Sequence, residues 1–206
     1  MGGVYNPPAF ALDEEDAWAV LSRGGPATLV ALTSRGLSSA IVPVIVEDRR
    51  RLLAHVARAN PWWREAPEAG EVLALFHVAD AYVSPTYYPS KAENPAVVPT
   101  WNYVVVEVHG RLRVHDDPSW VEAQARSLVE RYESARDPRW FTDDAPVEYL
   151  ERQVRAIVGL EIEVTSIEAK AKLSQNRAAI DIEGVRTALA RGSDLERALG
   201  REMRDL

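Results

Sequence analysis

The chain has 206 residues, with 24 lysine and arginine residues against 31 aspartate and glutamate residues, and it contains no cysteine. Its formal charge of −7 disfavours a strongly basic nucleic-acid-binding protein, and its 47% hydrophobic and 27% charged residues are typical of folded globular domains. The lack of cysteine excludes disulfides, iron–sulfur clusters, zinc ribbons and thiol nucleophiles. The length predicts one domain with room for a small helical appendage.

No apolar run approaches the roughly 18 residues that a membrane-spanning helix needs. Residues 1–8 contain neither the basic stretch nor the apolar stretch of a secretory leader. We therefore expect a cytoplasmic protein without a membrane anchor.

The first predicted element is a short amphipathic helix. Asp13 is its expected N-cap, Asp16 follows three residues later, and Gly24 and Gly25 end the helix. Short segments rich in β-branched and aliphatic residues come next, separated by turn residues, and each is predicted to form a strand. The predicted strands span residues 28–33, 39–46, 52–56, 72–78, 104–114 and 158–167.

The last two predicted strands carry features that bear on the fold. Gly110 interrupts the segment 104–114 and predicts a bulge or bend. In the segment 158–167, apolar and polar residues alternate, which predicts one buried face and one solvated face. The buried face would hold Leu160, Ile162 and Val164, and the solvated face Glu161, Glu163 and Thr165.

Four further helices are predicted, two between the last two strands and two at the C-terminal end. Asp117 and Pro118 begin the first of these helices, and Pro146 begins the second. The terminal pair covers residues 180–190 and 195–203. A parallel sheet would need a helix after almost every strand, so this order of elements predicts a closed or nearly closed antiparallel barrel with peripheral helices.

A first candidate site follows the third predicted strand. His55 and Arg58 lie at its end, and Asn60 and Pro61 form an N-cap signal with proline at the first helical position. Free backbone N–H groups and the positive end of the helix dipole would then face outward, which favours a phosphate. The alternative is a capped helix with a solvated arginine and a core histidine.

A second candidate is the proline-rich connection at residues 82–103, which contains five aromatic residues. Compact domains rarely keep so long an irregular segment unless it binds a ligand or forms an interface. Its aromatic side chains could stack on a planar ring, and Lys91 could contact an anionic group. The alternative is an ordered loop that covers the end of the barrel.

A third candidate is the run of hydrogen-bond donors at residues 172–177, directly after the last strand. If that strand is central, these side chains point into a shared cleft; the alternative is a solvated exit loop. The four histidines lack metal-ligand spacing and an accompanying acidic cluster, so no metal site is expected. Ser174 has no histidine nearby in the sequence, so nothing supports a serine hydrolase.

Two arginine-rich segments could suggest a nucleic-acid contact. Residues 184–206 are nearly balanced by acidic residues and are expected to form a solvated or dimer-packing helical hairpin. The basic triplet at residues 49–51 follows two acidic residues in a predicted hairpin turn and is expected to be solvated. Direct DNA binding is therefore not expected.

Six motifs, in order from residue 5 to residue 177, resemble those of the PaiB family. They are Tyr5-x-Pro7-x-x-Phe10, His55-Val-Ala-Arg-Ala-Asn-Pro-x-Trp63, Asp80-Ala-Tyr-Val-Ser-Pro85 followed by Lys91, Val98-Pro-Thr-Trp-Asn-Tyr103, Gly159-x-Glu161-Ile162 and Lys172-Leu-Ser-Gln-Asn-Arg177. The resemblance implies a mainly β (α+β) fold with peripheral helices, an antiparallel Greek-key split β-barrel of the FMN-binding type related to pyridoxamine phosphate oxidases. It also implies a homodimer with flavin at the subunit interface, in a family of negative transcriptional regulators of protease production and sporulation.

Carried over to this sequence, the resemblance implies a set of FMN-binding residues. The expected phosphate contacts are His55, Val56, Arg58 and Asn60, and the residues expected along the isoalloxazine ring are Thr100, Trp101 and Asn102. From the last strand, the expected contacts are Lys172, Gln175 and Asn176. Lys91 is a further basic candidate.

The resemblance leaves the activity open, because the flavin supplies the redox chemistry and no catalytic side-chain signature is needed. One function is a flavin-dependent oxidoreductase that exchanges electrons with a small partner. The other is a non-catalytic regulator that acts through a ligand or a protein, with flavin structural or absent; a haem-binding split barrel using His77 or His109 is a third alternative. We expect a split-barrel domain with inserted helices at residues 1–178 and a helical extension at residues 179–206.

Overall fold

The computed structural model describes residues 5–67 and 69–203, and within them it contains seven strands and six helices. The strands are β1 (Ala11–Leu12), β2 (Gly25–Thr33), β3 (Gly36–Glu47), β4 (Arg51–Ala57), β5 (Glu71–Val83), β6 (Thr100–His115) and β7 (Ile157–Lys172). The helices are α1 (Glu14–Leu21), α2 (Trp62–Glu65), α3 (Pro118–Glu133), α4 (Val147–Arg155), α5 (Ala179–Ala190) and α6 (Asp194–Glu202). Every predicted strand is present and longer than its sequence pattern indicated, and β1 is an additional strand.

The strands form one antiparallel sheet whose hydrogen bonding closes on itself. Their order is β1-β7-β4-β3-β2-β5-β6, and β6 also pairs with β7. The prediction of a mainly β split barrel with peripheral helices is thereby confirmed. No helix in the described ranges is long and apolar enough to cross a membrane.

The chain forms two compact units. The first unit takes its described residues from 5–17, 77–107 and 168–203, and the second unit from 18–67, 69–76 and 108–167. The strands β5, β6 and β7 each contribute residues to both units. The helices α5 and α6 belong to the first unit, and the predicted division at residue 178 stays a prediction.

Alternating strand residues build the core of the second unit. Leu29 of β2 and Leu160 and Ile162 of β7 are inaccessible to solvent, which confirms the predicted buried face at Leu160 and Ile162, and Val164 is half-buried. The strand β4 is hydrogen-bonded to both β3 and β7, and it places Ala54 opposite Leu160. This pairing fixes the end of β4 beside the beginning of β7.

The strand β6 runs through Gly110 without a break. A Cβ atom at Gly110 would lie 2.4 Å from Ile162 Cγ2 and 2.6 Å from the carbonyl oxygen of Glu163. The close approach of β7 therefore accounts for this glycine.

The prediction that Glu161 faces solvent is wrong. Its side chain is buried, and its Oε2 accepts a hydrogen bond from His115 Nε2 at 2.8 Å. The His115 ring stacks on Trp120 of α3, with ring centroids 4.0 Å apart. Gly159 leaves room for that indole, because a Cβ atom there would lie 2.2 Å from Trp120 Cζ3. Trp120 of α3 and His115 thus cover this face of β7 at Gly159 and Glu161, whereas Glu163 and Thr165 on the same face are exposed, as predicted.

In the first unit, α5 anchors the long connection between β5 and β6. The irregular part of this connection is residues 84–99, with short 3₁₀ turns at Pro85–Tyr87 and Pro89–Ala92. Asp181 of α5 is buried and accepts hydrogen bonds from the Ser90 backbone N–H at 3.0 Å and from the Ser90 hydroxyl at 2.7 Å. The connection is therefore an ordered part of the fold.

Candidate functional site

The first group of predicted site residues lies in the second unit, where β4 ends. Asn60 caps the next turn, since its Oδ1 accepts a hydrogen bond from the backbone N–H of Trp62 at 3.0 Å. The helix that follows has only four residues, so its dipole is small. Val56 is buried and holds the strand end in the core.

Arg58 is engaged by its own chain. Its guanidinium donates hydrogen bonds to Asp116 Oδ1 at 2.5 Å and to the carbonyl oxygens of Arg155 at 2.7 Å and Ile157 at 3.2 Å. The hydrogen bond with Asp116 raises the pKa of Arg58, and the same bond lowers the pKa of Asp116. The charge of Arg58 is thus balanced by a carboxylate, and a phosphate at this position would have to share the guanidinium with Asp116.

His55 is oriented by a residue that sequence reasoning missed. Its Nδ1 lies 2.8 Å from Oε1 of Gln124 in α3. Gln124 is buried, and its Nε2 has no hydrogen-bond partner within residues 5–67 and 69–203. An unsatisfied buried donor is costly, so such groups are informative in folded proteins. No sequence signal indicated Gln124, because it is 69 residues from His55 in the chain.

The second group lies in the first unit, where β6 begins and β7 ends. Lys172 Nζ donates to the Thr100 hydroxyl at 2.5 Å, and Asn102 Nδ2 donates to the Ser174 hydroxyl at 2.9 Å. Gln175 folds back on its own turn, accepting from the backbone N–H of Leu173 at 2.7 Å. The structure therefore brings together Thr100, Asn102, Lys172 and Gln175, which the sequence separates by about 70 residues.

The polar and aromatic groups of this cluster fit a planar, polar ligand such as a flavin ring. Asn102 is completely buried, and its Oδ1 has no hydrogen-bond partner in the part of the chain that the structure describes. Trp101 is 53% exposed and contacts Tyr82 edge-on, with centroids 6.3 Å apart. The exposed Trp101 indole can stack on a planar ring, and the Lys172 ammonium beside Thr100 can hydrogen-bond a polar or anionic group.

The remaining predicted residues are less constrained. Lys91 lies in the second 3₁₀ turn of the 84–99 connection, and its side chain is exposed. Asn176 is exposed in the turn after β7. Both are in the first unit, and their predicted contacts with the cofactor stay predictions.

Sequence reasoning also missed Lys170. Its side chain is buried, and its Nζ donates to the carbonyl oxygen of Tyr5 at 2.8 Å. The only sequence signal was its position two residues before Lys172, which places the two on the same face of β7.

Comparison with known proteins identifies the family. Residues 4–166 match the family described as "Putative FMN-binding domain". The chain is 30% identical over 186 residues to "Protease synthase and sporulation protein PAI 2" of Bacillus subtilis, covering 88% of this chain and 87% of that protein. This chain belongs to the PaiB family. FMN is the cofactor of this family's domain, as predicted.

Solved structures show the same fold. The flavocytochrome Anf3 of Azotobacter vinelandii is 17% identical with a TM-score of 0.58, covering 77% of this chain and 67% of that one. An FAD and heme binding protein of Mycobacterium smegmatis is 14% identical with a TM-score of 0.57, covering 88% of this chain and 79% of that one. At these identities the likeness establishes the split-barrel fold.

Proposed function

We propose that this member of the PaiB family binds FMN at a homodimer interface and takes part in flavin-dependent electron transfer. The observation that carries the proposal is the meeting of β6 and β7 through two side-chain hydrogen bonds, Lys172 to Thr100 and Asn102 to Ser174, where the buried Asn102 Oδ1 has no partner among the described residues. Bound FMN would supply the redox chemistry. The protein would hold the flavin and limit the access of water to it.

The proposed roles of the side chains follow their placement. The strand end at His55, Val56, Arg58 and Asn60 is proposed to contact the phosphate. Trp101 is proposed to stack on the isoalloxazine ring next to Thr100. Lys172, Gln175 and Asn176 are proposed to reach the cofactor from the end of β7, with Lys91 as a further basic contact. Asn102 is completely buried, so we propose that it acts by orienting Ser174.

The proposal is tested by titrating the purified chain with FMN. We expect a saturable shift of the flavin absorption bands at about 370 and 450 nm, with one FMN bound per subunit. Light scattering should give twice the subunit mass of 22.9 kDa, as for a symmetric dimer with a shared interface. An unchanged flavin spectrum would reject flavin binding, and a mass near 22.9 kDa at micromolar concentration would reject the dimer.

A cavity in the second unit favours a second candidate function, regulation through a ligand or a protein partner. It has a volume of about 460 Å³ and lies between α3 and α4. Its apolar lining includes Val129, Leu150 and Val154, and no residue of α4 is fully buried. A concave apolar surface of this size is typical of small-molecule sites.

Regulation through a ligand or a protein partner does not require direct binding of this chain to DNA. Arg51 pairs with Glu47 at 2.8 Å and lies 3.5 Å from Asp48, so the basic triplet at residues 49–51 is partly neutralised. We expect no sequence-selective duplex binding at physiological salt. A gel shift at nanomolar protein that weakens with salt at a log–log slope of about −0.9 per phosphate, and is lost on replacing residues 49–51, would contradict this expectation.

A further inference from the structure

Lysine is rare in this chain, and its placement is selective. Only three of the 24 basic residues are lysines, namely Lys91, Lys170 and Lys172, and all others are arginines. Two of the three lie on one face of β7, two residues apart. A lysine ammonium is a compact cation that fits a narrow site where a planar guanidinium does not.

Lys170 is an unusual buried cation. Its residue is 7% exposed, and the one hydrogen bond that its Nζ makes to the described residues goes to the carbonyl oxygen of Tyr5 at 2.8 Å. The Nζ also lies 5.6 Å from the ring centroid of Tyr5 and 5.5 Å from that of Tyr103. An ammonium has three donors, so the protein leaves part of its hydrogen-bonding capacity unused.

Neither lysine of β7 has an acidic partner. Among the described residues, no carboxylate oxygen lies within the 4.0 Å that defines an ion pair from either Nζ. The hydrogen-bond partner of Lys172 is the neutral hydroxyl of Thr100. Buried charges in proteins are normally paired, because removing an ion from water is costly. In a chain with a net charge of −7, two neighbouring cations without a carboxylate indicate that the counter-charge comes from a ligand.

The surroundings of the pair match the proposed flavin site. Lys170 contacts Tyr103, which lies two residues from the exposed Trp101 and so on the same face of β6, and Lys172 contacts Thr100 at the beginning of that strand. We propose that Lys170 and Lys172 together bind an oxyanion, either the phosphate of FMN or the phosphate or carboxylate of a separate small ligand. The first source rests on the proposed flavin binding and moves the phosphate contact from Arg58 to the lysines. The second source leaves that contact at Arg58 and is independent of flavin binding.

The first experiment measures thermal unfolding of the full chain in sodium phosphate and in sodium chloride of equal ionic strength. For the wild type, phosphate at ten times its Kd should raise Tm by about 3–6 °C. Lys170→Met and Lys172→Met should abolish this rise, whereas Arg191→Met, which removes an exposed cation at the end of α5, should retain it.

The same variants separate anion binding from a structural role. Met has nearly the length of Lys and no charge, so Lys170→Met should leave Tm in chloride unchanged or raised. If Lys170 served only to hold Tyr5, the variant would unfold at a lower temperature in chloride and would keep the phosphate effect. That result would overturn the proposal.

The second experiment identifies the source of the anion. If the lysines hold the phosphate of FMN, the lysine variants should weaken FMN binding roughly tenfold or more and riboflavin binding by less than about twofold, because riboflavin lacks the phosphate. Arg58→Ala should then show no such selectivity. If the anion belongs to a separate ligand, Lys170→Met should bind FMN normally while losing the phosphate effect on Tm. Lys172→Met, which also removes a proposed flavin contact, should then weaken FMN and riboflavin binding equally, and Arg58→Ala should show the FMN selectivity.

The two proposals fail differently. A wild type that binds FMN, with lysine variants indistinguishable from it in both experiments, would overturn the oxyanion site and leave flavin binding intact. A wild type that binds no flavin but shows a lysine-dependent phosphate effect would overturn the proposed function and support a site for a separate anion.

Discussion

Replacing His115 with phenylalanine is expected to lower the free energy of unfolding by about 3 kcal/mol. The histidine Nε2 lies 2.8 Å from Glu161 Oε2, and the two side chains are only 19% and 10% exposed. Phenylalanine can keep the stacking on Trp120, so the variant removes the hydrogen bond and little else. The variant leaves the Glu161 carboxylate buried without its partner His115. The free-energy cost of breaking such a pair comes mainly from the unpaired buried charge. Urea unfolding followed by circular dichroism measures the loss.

Two further variants isolate the buried pair as the cause. The double variant His115→Phe/Glu161→Leu should recover most of the loss, since a buried pair can be replaced by apolar side chains at small cost. Arg126→Met breaks the ion pair between Arg126 and Glu122, in which the two side chains are 44% and 50% exposed. This variant should lower the free energy of unfolding by less than about 1 kcal/mol. Equal losses for His115→Phe and Arg126→Met would show that burial of the carboxylate does not matter here.

Replacing Gly159 with alanine is expected to destabilise the protein by about 1–3 kcal/mol. The new Cβ would lie 2.2 Å from Trp120 Cζ3 and 2.5 Å from Trp120 Cε3, well inside van der Waals contact. The indole cannot move freely, because it is stacked on His115. Either the ring shifts or β7 and α3 separate, and both reduce packing in the core of the second unit. Urea unfolding gives the loss, and the near-ultraviolet circular dichroism of the tryptophan should change with it.

The matched control is another glycine-to-alanine change. At Gly200 in α6, the nearest atom to the new Cβ would be the Leu189 Cβ at 3.4 Å, an ordinary contact. Alanine favours a helix over glycine by about 1 kcal/mol, so Gly200→Ala should be neutral or stabilising. In a protein that already carries Trp120→Leu, Gly159→Ala should lower the free energy of unfolding by almost nothing, because the clashing indole is gone. A Gly159→Ala protein as stable as the wild type would contradict the close packing of β7 and α3.

Local signals in the sequence were sufficient for most helices. Asp117 and Pro118 were predicted to begin a helix, and the Asp117 carboxylate accepts hydrogen bonds from the backbone N–H groups of Ser119 and Trp120. Asp13 does the same for Asp16 at 2.8 Å. A cap involves residues within four positions in the chain, so its geometry is readable from spacing. The helix α3 therefore begins at Pro118, as predicted.

Strand ends were predicted less well, because they depend on the neighbouring strand. The sequence pattern placed the end of β5 at residue 78 and the beginning of β6 at residue 104, whereas the strands continue to Val83 and begin at Thr100. Polar and aromatic residues such as Tyr82 and Trp101 do not look like a strand core. They continue the strands because their backbone groups find partners in a closed sheet.

By itself, the sequence determined the order of elements, the barrel class and the family, since caps, alternation and motif spacing are local properties. Only the tertiary structure decided which polar groups are buried and with what partner. Glu161 meets His115 across 46 residues, and Lys172 meets Thr100 across 72. Lys170 could be recognised as a buried cation without a carboxylate only once its surroundings were known. The physical reason is that the cost of burying a charge depends on every atom around it, and those atoms come from segments that the sequence leaves far apart.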